Sequence, residues 1–523
     1  MRQPQSHLRV WPSFFPLAFI AVTLATRAAA AADINPAQGQ WTAAKANEWY
    51  GRQPWLVGCN FLPSTAVNDV EMWQKDTFDP ATIDRELGWA KQLGFNSIRV
   101  FLNFVVWQDD AAGLKRRFDQ FLGIAQKHGL SVMPILFDDC NFADRQARSG
   151  KQPDPEPGVH NSQWVSSPPL KMVTNAAARP MLERYVKDMV RTFAKDQRVL
   201  LWDLYNEPSN SKMGNASLPL VEATFAWARS CAPMQPMTMG VWSDGPPEIS
   251  RRQLELSDIT SFHGYASIVS LKGGMPYMRS FGRPVICTEW MARTFGSRFE
   301  SHLPFFKSER IGCWNWGLVA GRIQTYFPWG SPKGATMPKL WFHDILRPDG
   351  TPFSAQEVRF IKGTTGVLPP VTWRRVVPTS EVEKATWQYT LEQPAEDWFK
   401  PGFDSASWKT GAAPFGVEES PINRKPETVW ASTNLWARRE FTMPADQFAM
   451  VALSMHYDED VDVYINGVLA TQAPGFSASY EPFILRPEAF AALKPGTNIL
   501  AVHCRQKGGG QYFDLGIDGF TGP

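Results

Sequence analysis

The chain has 523 residues, more than one ordinary domain needs, and 44% hydrophobic with 20% charged residues excludes a disordered or collagen-like polymer. The formal net charge is +2, and Arg2, Arg9 and Arg27 in the first 32 residues account for that excess. The near-neutral remainder gives no electrostatic ground for nucleic acid or an anionic membrane as a partner.

Residues 1–32 read as an export signal. Arg2 and Arg9 make a positive start, Trp11 to Leu24 is mostly apolar, and Ala28 to Ala32 supplies small residues for cleavage. The mature chain is expected to begin near Asp33 and to be periplasmic or extracellular. A membrane anchor is the alternative, but the apolar run falls short of the roughly 20 residues that a span needs, and no later segment qualifies. The 22 Trp are many for this length. Indole faces pack on the C–H faces of sugar rings, so an exported Trp-rich chain leans towards carbohydrate, although most of these indoles are expected in the core. The cysteines, Cys59, Cys140, Cys231, Cys287, Cys313 and Cys504, form no CxxC pair. That leaves a zinc or redox motif unsupported. Cys59, Cys287 and Cys313 lie in apolar runs and read as buried thiols.

From Trp55 to about Lys362, short apolar runs alternate with amphipathic helical stretches. The predicted strands are Trp55–Phe61, Ser97–Leu102, Ser131–Phe137, Leu200–Tyr205, Met237–Trp242, Ile259–Gly264, Val285–Thr288 and Gly312–Gly317. Between them, Leu182, Val186, Met189 and Phe193 make one helical stripe, and Phe118, Phe121, Leu122 and Ala125 another. Asp79-Pro80 opens a helix that Gly94 closes, and Gly129 closes the next. Eight strand–helix units over roughly 300 residues predict an α/β fold, a (β/α)8 TIM barrel across residues 33–365. A doubly wound sheet would call for a glycine-rich phosphate turn after an early strand, and none is present.

Two connections are long, Asn141 to Pro180 and Leu318 to Met337, the latter with Arg322, Gln324, Tyr326 and Trp329. Both leave C-terminal strand ends, where barrel enzymes keep their sites. After Gly366–Pro370 the texture becomes short alternating runs with a hairpin signal at Asn466-Gly467. Residues 366–523 therefore read as an all-β sandwich (jelly-roll) domain.

The predicted fourth strand runs into Asn206-Glu207-Pro208 and the seventh into Thr288-Glu289-Trp290. Strands four and seven face each other across a barrel mouth, so two carboxyls there can flank one bond. A lone Glu at a strand end is more often a salt-bridge partner or a helix cap. The pair, with Asn before the first, outweighs that reading.

With the His263-Gly264-Tyr265 pattern on strand six, these motifs resemble clan A glycoside hydrolases, the retaining enzymes that include family 5 cellulases and mannanases and family 2 β-galactosidases. The resemblance covers residues 40–362. It implies Glu207 as acid/base, Glu289 as nucleophile and Asn206 as the partner of the sugar 2-hydroxyl. Tyr265 is expected to donate to Glu289, Arg99 to hold Glu289 ionised, and Glu207 to have a raised pKa so that it carries a proton. Trp316 at the end of strand eight fits the clan's sugar platform, with Trp314 either sharing that role or packing in the barrel. His263, Asn60, Asp138 and Trp290 complete the expected substrate-binding set. For His263 a plain structural role stands beside this one; for Asn60, Asp138 and Asp139 the alternative is capping the next helix.

Catalytic zinc in a barrel needs several His ligands, and of 8 His only His263 falls at a predicted strand end. No metal and no other cofactor are expected. Asp458, Glu459, Asp460 and Asp462 read as a solvated face rather than a Ca²⁺ site. The C-terminal region resembles galactose-binding-like sandwiches through Pro401-Gly402-Phe403-Asp404, Trp408, Ala413-Pro414-Phe415-Gly416, Trp436-Ala437-Arg438-Arg439 and Asp462-Val463-Tyr464-Ile465-Asn466-Gly467. A scaffold role is favoured there, with polysaccharide binding second and a lid built on Gly508–Gly510, Gln511 and Tyr512 third. The implied activity is double-displacement hydrolysis of a β-linked plant or microbial oligo- or polysaccharide, with exo attack favoured by the long loops. A non-catalytic saccharide-binding barrel and a transglycosylase are the rivals.

Overall fold

The computed structural model describes residues 37–417 and 425–522. The expected export signal at residues 1–32 lies outside them. No described helix is long and apolar enough to cross a membrane.

Among the described residues, eight parallel strands form one sheet: β1 (Val57–Asn60), β2 (Ser97–Phe101), β3 (Ser131–Asp138), β4 (Trp202–Asn206), β5 (Met237–Gly240), β6 (Thr260–Gly264), β7 (Val285–Trp290) and β8 (Gly312–Trp316). Their order is β5-β4-β3-β2-β1-β8-β7-β6. The ring closes between β5 and β6 through Asp258 N–H to Met237 O at 2.8 Å and His263 N–H to Val241 O at 3.3 Å. This is the TIM barrel the alternation predicts. The helices form for the reasons the sequence carries. Asp79 caps Pro80–Gln92 by accepting from Thr82 N–H, and Gly94 leaves it at φ 83°. Leu182, Val186, Met189 and Phe193 are the buried stripe of the helix Arg179–Phe193.

The long connections after β3 and β8 are tied to each other. Asn161 N–H donates to Ile323 O at 2.9 Å, Gln324 Nε2 to Glu156 O at 2.7 Å, and Gly334 N–H to Pro157 O at 2.7 Å. Together they make one wall on this side of the barrel mouth.

The second half holds β9 (Arg374–Val377), β10 (Thr386–Thr390), β11 (Lys409–Ala412), β12 (Phe415–Gly416), β13 (Thr428–Val429), β14 (Asn434–Met443), β15 (Met450–Asp458), β16 (Asp460–Ile465), β17 (Val468–Ala473), β18 (Glu481–Ile484), β19 (Gly496–Arg505) and β20 (Tyr512–Phe520). One sheet runs β11-β10-β14-β19-β16-β17. The other runs β13-β12-β20-β15-β18, with β9 also on β20. Between them lies a core that includes Trp387, Phe415, Trp430, Leu453, Val463, Val502 and Phe513. Asn466 and Gly467, both at positive φ, turn β16 into β17.

Barrel and sandwich belong to one compact unit. Met450 and Phe520 of the sandwich are buried in the barrel's apolar cluster. Gln356, on the last barrel helix, accepts from Val451 N–H at 2.9 Å, and the Arg298 guanidinium lies 4.5 Å from the Phe483 ring centre. Gln511 donates to Ser432 O and Tyr512 is buried against His456, which ties the chain after the Gly508–Gly510 turn to the sandwich. One sequence expectation changes here: the acidic stretch is no solvated face. Asp458 and Asp462 are buried, and Asp462 and Asp460 pair with Arg505 and Lys507.

Candidate active site

The C-terminal strand ends carry the polar residues of the barrel. β4 finishes at Asn206, and Glu207 follows with φ 43°, a left-handed conformation that is costly for a side chain with a Cβ. Its N–H is fixed by Gly240 O at 2.8 Å. In β7 the pairing register shifts between Cys287 and Trp290 on one side, and in β6 between Phe262 and His263 on the other. Such bulges re-aim side chains. The result brings one carboxylate oxygen each of Glu207 and Glu289, and a ring nitrogen of His263, within 4.8 Å of one another. Both glutamates are nearly buried.

Arg99 is the hub beneath them. Its guanidinium has no solvent exposure and reaches Glu289 Oε1 at 2.7 Å, Asn60 Oδ1 at 2.7 Å, Asp203 Oδ2 at 2.8 Å and Asn206 Oδ1 at 2.6 Å. Tyr265 donates its hydroxyl to Glu289 Oε2 at 2.8 Å. Burial, then the negative charges of Glu289 and Glu207, push the Tyr265 phenol well above its ordinary range, which keeps it a donor. Glu289 is thus held at both oxygens.

Glu207 is held differently. Oε1 lies 2.6 Å from His263 Nδ1, and Oε2 accepts from Asn210 Nδ2 at 2.6 Å and from the Cys140 thiol at 3.2 Å. Burial alone pushes the carboxyl up. The histidine beside it and the two further donors outweigh burial and hold Glu207 below the usual carboxylate range. This corrects the expectation of a raised pKa. The reason is that three donors, on three different elements, converge on one acid. Among the described residues His263 Nε2 is buried without a hydrogen-bond partner. The tautomer with the proton on Nδ1 leaves no unpaired N–H there, so Nδ1 is the donor to Glu207.

The structure sorts the other predicted residues by depth. Arg99 and Asn60 lie below the carboxylates, and Asn60 spends its amide on Arg99 and on the carbonyl of Thr288 at 2.8 Å. Asp138 is fully buried, accepting from Asn206 Nδ2 at 2.9 Å and Trp164 Nε1 at 2.7 Å. Arg99 and Asp138 are wholly enclosed and orient the residues around them, whereas Asn60 lines the small cavity beside Trp316. Asp139 is tied to Tyr205, Ser209 N–H and Ser217 away from the pair. Trp290 is also corrected. With Glu289 facing inward, the next side chain faces out, and Trp290 is buried against Phe299, His302 and Phe306. Trp314 is core, its indole donating to Ser97 Oγ at 3.2 Å. Trp316 keeps a partly exposed edge and packs on Phe101 and Trp164 beside a cavity of about 20 Å³ that Asn60 and Asp344 also line.

Sequence reasoning missed Asp203, Cys140, Asn210 and Gly240. Asp203 had a signal, an acid inside an apolar strand. Gly240 is explained by crowding, since a Cβ there would lie 2.7 Å from His263 Nε2 and 3.0 Å from Arg99 Nη2. Trp329, on the connection after β8, is 41% exposed and sets its ring edge-on to Tyr265, with centres 4.9 Å apart.

The trio of Glu207, His263 and Glu289 also has the spacing of a cation site. Arg99 and Tyr265 already occupy both oxygens of Glu289, however, and the fixed guanidinium charge opposes a cation there. The arrangement suits proton transfer and attack by a carboxylate.

No family model matches the chain, and no curated protein matches it. Solved structures that resemble it include a glycoside hydrolase family 5 mannosidase from Rhizomucor miehei, at 14% identity over 60% of this chain and 93% of that one, TM-score 0.42. An exo-beta-1,4-mannosidase, Op5Man5, from Opitutaceae bacterium strain TAV5 is 17% identical over 63% of this chain and 62% of that one, TM-score 0.41. A calcium-binding mutant of Bacteroides uniformis beta-glucuronidase 2 is 11% identical over 89% of this chain and 65% of that one, TM-score 0.41. These scores describe loose superpositions, and the chemistry is read from the side chains above. A parallel eight-stranded barrel with an added β domain is the architecture that the clan A resemblance implies.

Proposed function

We propose that this chain is an exported, retaining β-glycoside hydrolase that needs no metal. The observation that carries the reading is the Glu207–Glu289 pair, with carboxylate oxygens within 4.8 Å at the ends of β4 and β7. Retaining glycosidases keep their carboxyls about 5–5.5 Å apart, whereas inverting ones leave roughly 6.5–9.5 Å for a water.

In this reading Glu289, aligned by Arg99 and Tyr265, attacks the anomeric carbon as the bond to the leaving oxygen breaks. Glu207 gives that oxygen a proton. The product is an ester of Glu289 with the sugar, which removes the neighbouring negative charge and leaves Glu207 as the base. Water then loses a proton to Glu207 and attacks the same carbon, releasing the sugar with its configuration retained and both glutamates restored. Asn206, its Oδ1 on Arg99 and its Nδ2 donating to Asp138 and, over 3.7 Å, weakly to the Cys140 sulfur, can exchange that weak bond for one to the sugar 2-hydroxyl. Trp316 and Trp329 offer exposed ring surface for sugar faces. The paired connections after β3 and β8 wall the mouth, which favours chain ends or short saccharides over open polymer. The sandwich acts as a scaffold seated on the barrel, and the segment at residues 1–32 directs export.

Substitution and product analysis test this. On a panel of aryl β-glycosides, Glu289→Ala abolishes turnover, and Glu207→Ala keeps the glycosylation step on a dinitrophenyl glycoside, whose leaving group needs no proton. Undiminished turnover in Glu289→Ala rejects the reading, and an inverted first product rejects retention. Saccharide binding without turnover on any substrate identifies a binding protein instead, and transfer to an added sugar in preference to water identifies a transglycosylase.

A further inference from the structure

Cys140, the second residue after β3, is a thiol that neither the strand-end motif nor the mechanism uses. It is buried, and its sulfur lies 3.2 Å from Glu207 Oε2 and 3.7 Å from Asn206 Nδ2. Its own N–H donates to Asp138 Oδ1 at 3.0 Å, which pins the backbone that carries it. Around the sulfur stand the carboxyls of Asp138, Glu207 and Glu289. Burial first, then these charges, push the thiol well above its ordinary range, so it keeps its proton. A reactive nucleophile is thereby excluded and a permanent S–H remains.

Resting on the assignment of Glu207 as acid/base, we infer that Cys140 is a positioning residue for that carboxyl, holding Oε2 in both protonation states. The other two partners cannot do this. Asn210 Nδ2 only donates, and His263 Nδ1 carries its proton towards Oε1, so both favour the carboxylate alone. A thiol both donates and accepts. It donates to Oε2 when Glu207 is ionised, a charge-assisted bond and the stronger of the two, and turns to accept a weaker one when Oε2 carries the proton destined for the leaving group. An S–H bond is also weaker than an O–H bond, so it steadies the acid without fixing it as a carboxylate. Glu289, the phenol of Tyr265 and, on the segment after β5, Asp244 act on Glu207 through their charge or dipole, and among the described residues neither they nor Arg99 hydrogen-bond Oε2.

The titration of Glu207 tests the inference without relying on turnover. In protein carrying ¹³C at glutamate carboxyls, its resonance is the one lost in Glu207→Gln. Cys140→Ala removes a donor to the ionised form, and the Glu207 midpoint rises by about half a pH unit or more. Cys140→Ser supplies a stronger donor of similar size, and the midpoint falls below that of the wild type. The alkaline limb of kcat/KM moves with the midpoint in each variant. An unchanged midpoint in Cys140→Ala, or a rise in both variants, overturns the inference. If Cys140→Ala does not fold, Cys140→Ser decides alone, and a rise or no change there overturns it equally. A packing role would lower thermal stability and leave the midpoint in place. Undiminished turnover of Glu207→Gln on a glycoside with a poor leaving group would retire the acid/base assignment instead, whatever the titrations show.

Discussion

Arg99 Nη1 lies 2.7 Å from Glu289 Oε1, and the guanidinium is wholly shielded from solvent. The same side chain meets Asp203 through Nε at 3.0 Å and Nη2 at 2.8 Å, so one planar fork holds two buried carboxylates in fixed directions. Lysine supplies the charge and not the fork. Arg99→Lys is expected to cost about 3 kcal/mol of stability, from carboxylates left short of donors. It should also lower kcat at least 100-fold, as Glu289 loses its aim. Urea unfolding and steady-state kinetics read the two effects. A variant of near wild-type activity would mean that Arg99 only neutralises charge.

The depressed carboxyl of Glu207 fixes the sense of the pH profile. A group held below its usual range is protonated only at lower pH, so the acid form is present in acid and lost as pH rises through its folded pKa. For a glycoside with a poor leaving group, kcat/KM should peak on the acid side of neutrality and fall towards alkali. His263→Phe removes a donor to Oε1 and should move that limb to higher pH. A dinitrophenyl glycoside should lose the limb. An alkaline optimum for both substrates would contradict the placement of the proton.

Gly240→Ala should damage chemistry as well as folding. The added methyl would meet His263 Nε2 at 2.7 Å, Arg99 Nη2 at 3.0 Å and Asn206 Oδ1 at 3.2 Å, three groups that surround the Glu207–Glu289 pair. A loss of about 1–3 kcal/mol is expected from overpacking. The accompanying fall in kcat/KM should be about 10- to 100-fold at unchanged secondary structure. Circular dichroism with kinetics checks it, and full activity would show that the site tolerates the shift.

Stability should rise as pH falls from 8 to 5. Burial pushes Asp69, Glu86, Glu300, Asp344 and Glu481 each up to about 7. In the unfolded chain such groups titrate near about 4. A raised folded pKa means that the folded form binds the proton more tightly. Its stabilisation is complete below about 4 and is lost as pH rises through about 7. The buried His160, His302 and His343 and the half-buried His503, all held below their ordinary range by burial, oppose this trend as pH falls below about 6.5 but are fewer than the raised acids. Carboxylates of depressed pKa, such as Asp79 and Asp196, oppose it only below the window. Tm is therefore expected to be higher by about 5 °C at pH 5 than at pH 8. A flat or reversed trend by calorimetry would show these acids paired or hydrated in solution.

The sequence carried the barrel because each strand is an apolar run set between caps and glycines, and the eight predicted runs match β1 to β8 to within two residues at either end. It carried Glu207 and Glu289 because each stands where such a run stops. Depth was the property it hid. Asn60 and Asp138 share the strand-end address of Glu207 and Glu289 while Arg99 lies mid-strand, and nothing local distinguishes a side chain above the carboxylates from one beneath them. Trp290 was legible in principle, since alternation turns it away from Glu289. Cys140 and Gly240 were not, because their roles arise across the barrel, from atoms more than 60 and more than 20 residues away in the chain. The lowered pKa of Glu207 was hidden for the same reason, as it is set by donors on three separate segments.

The wall made by the connections after β3 and β8 also constrains how the mouth can be widened. Its internal hydrogen bonds run from one connection to the other, with Asn161 serving Ile323 and Gln324 serving Glu156. Shortening either segment alone would strand donors and acceptors on its counterpart, so a broader entrance calls for trimming both together. The gatepost is a joint structure, and selection or engineering for bulkier substrates has to treat it as one piece.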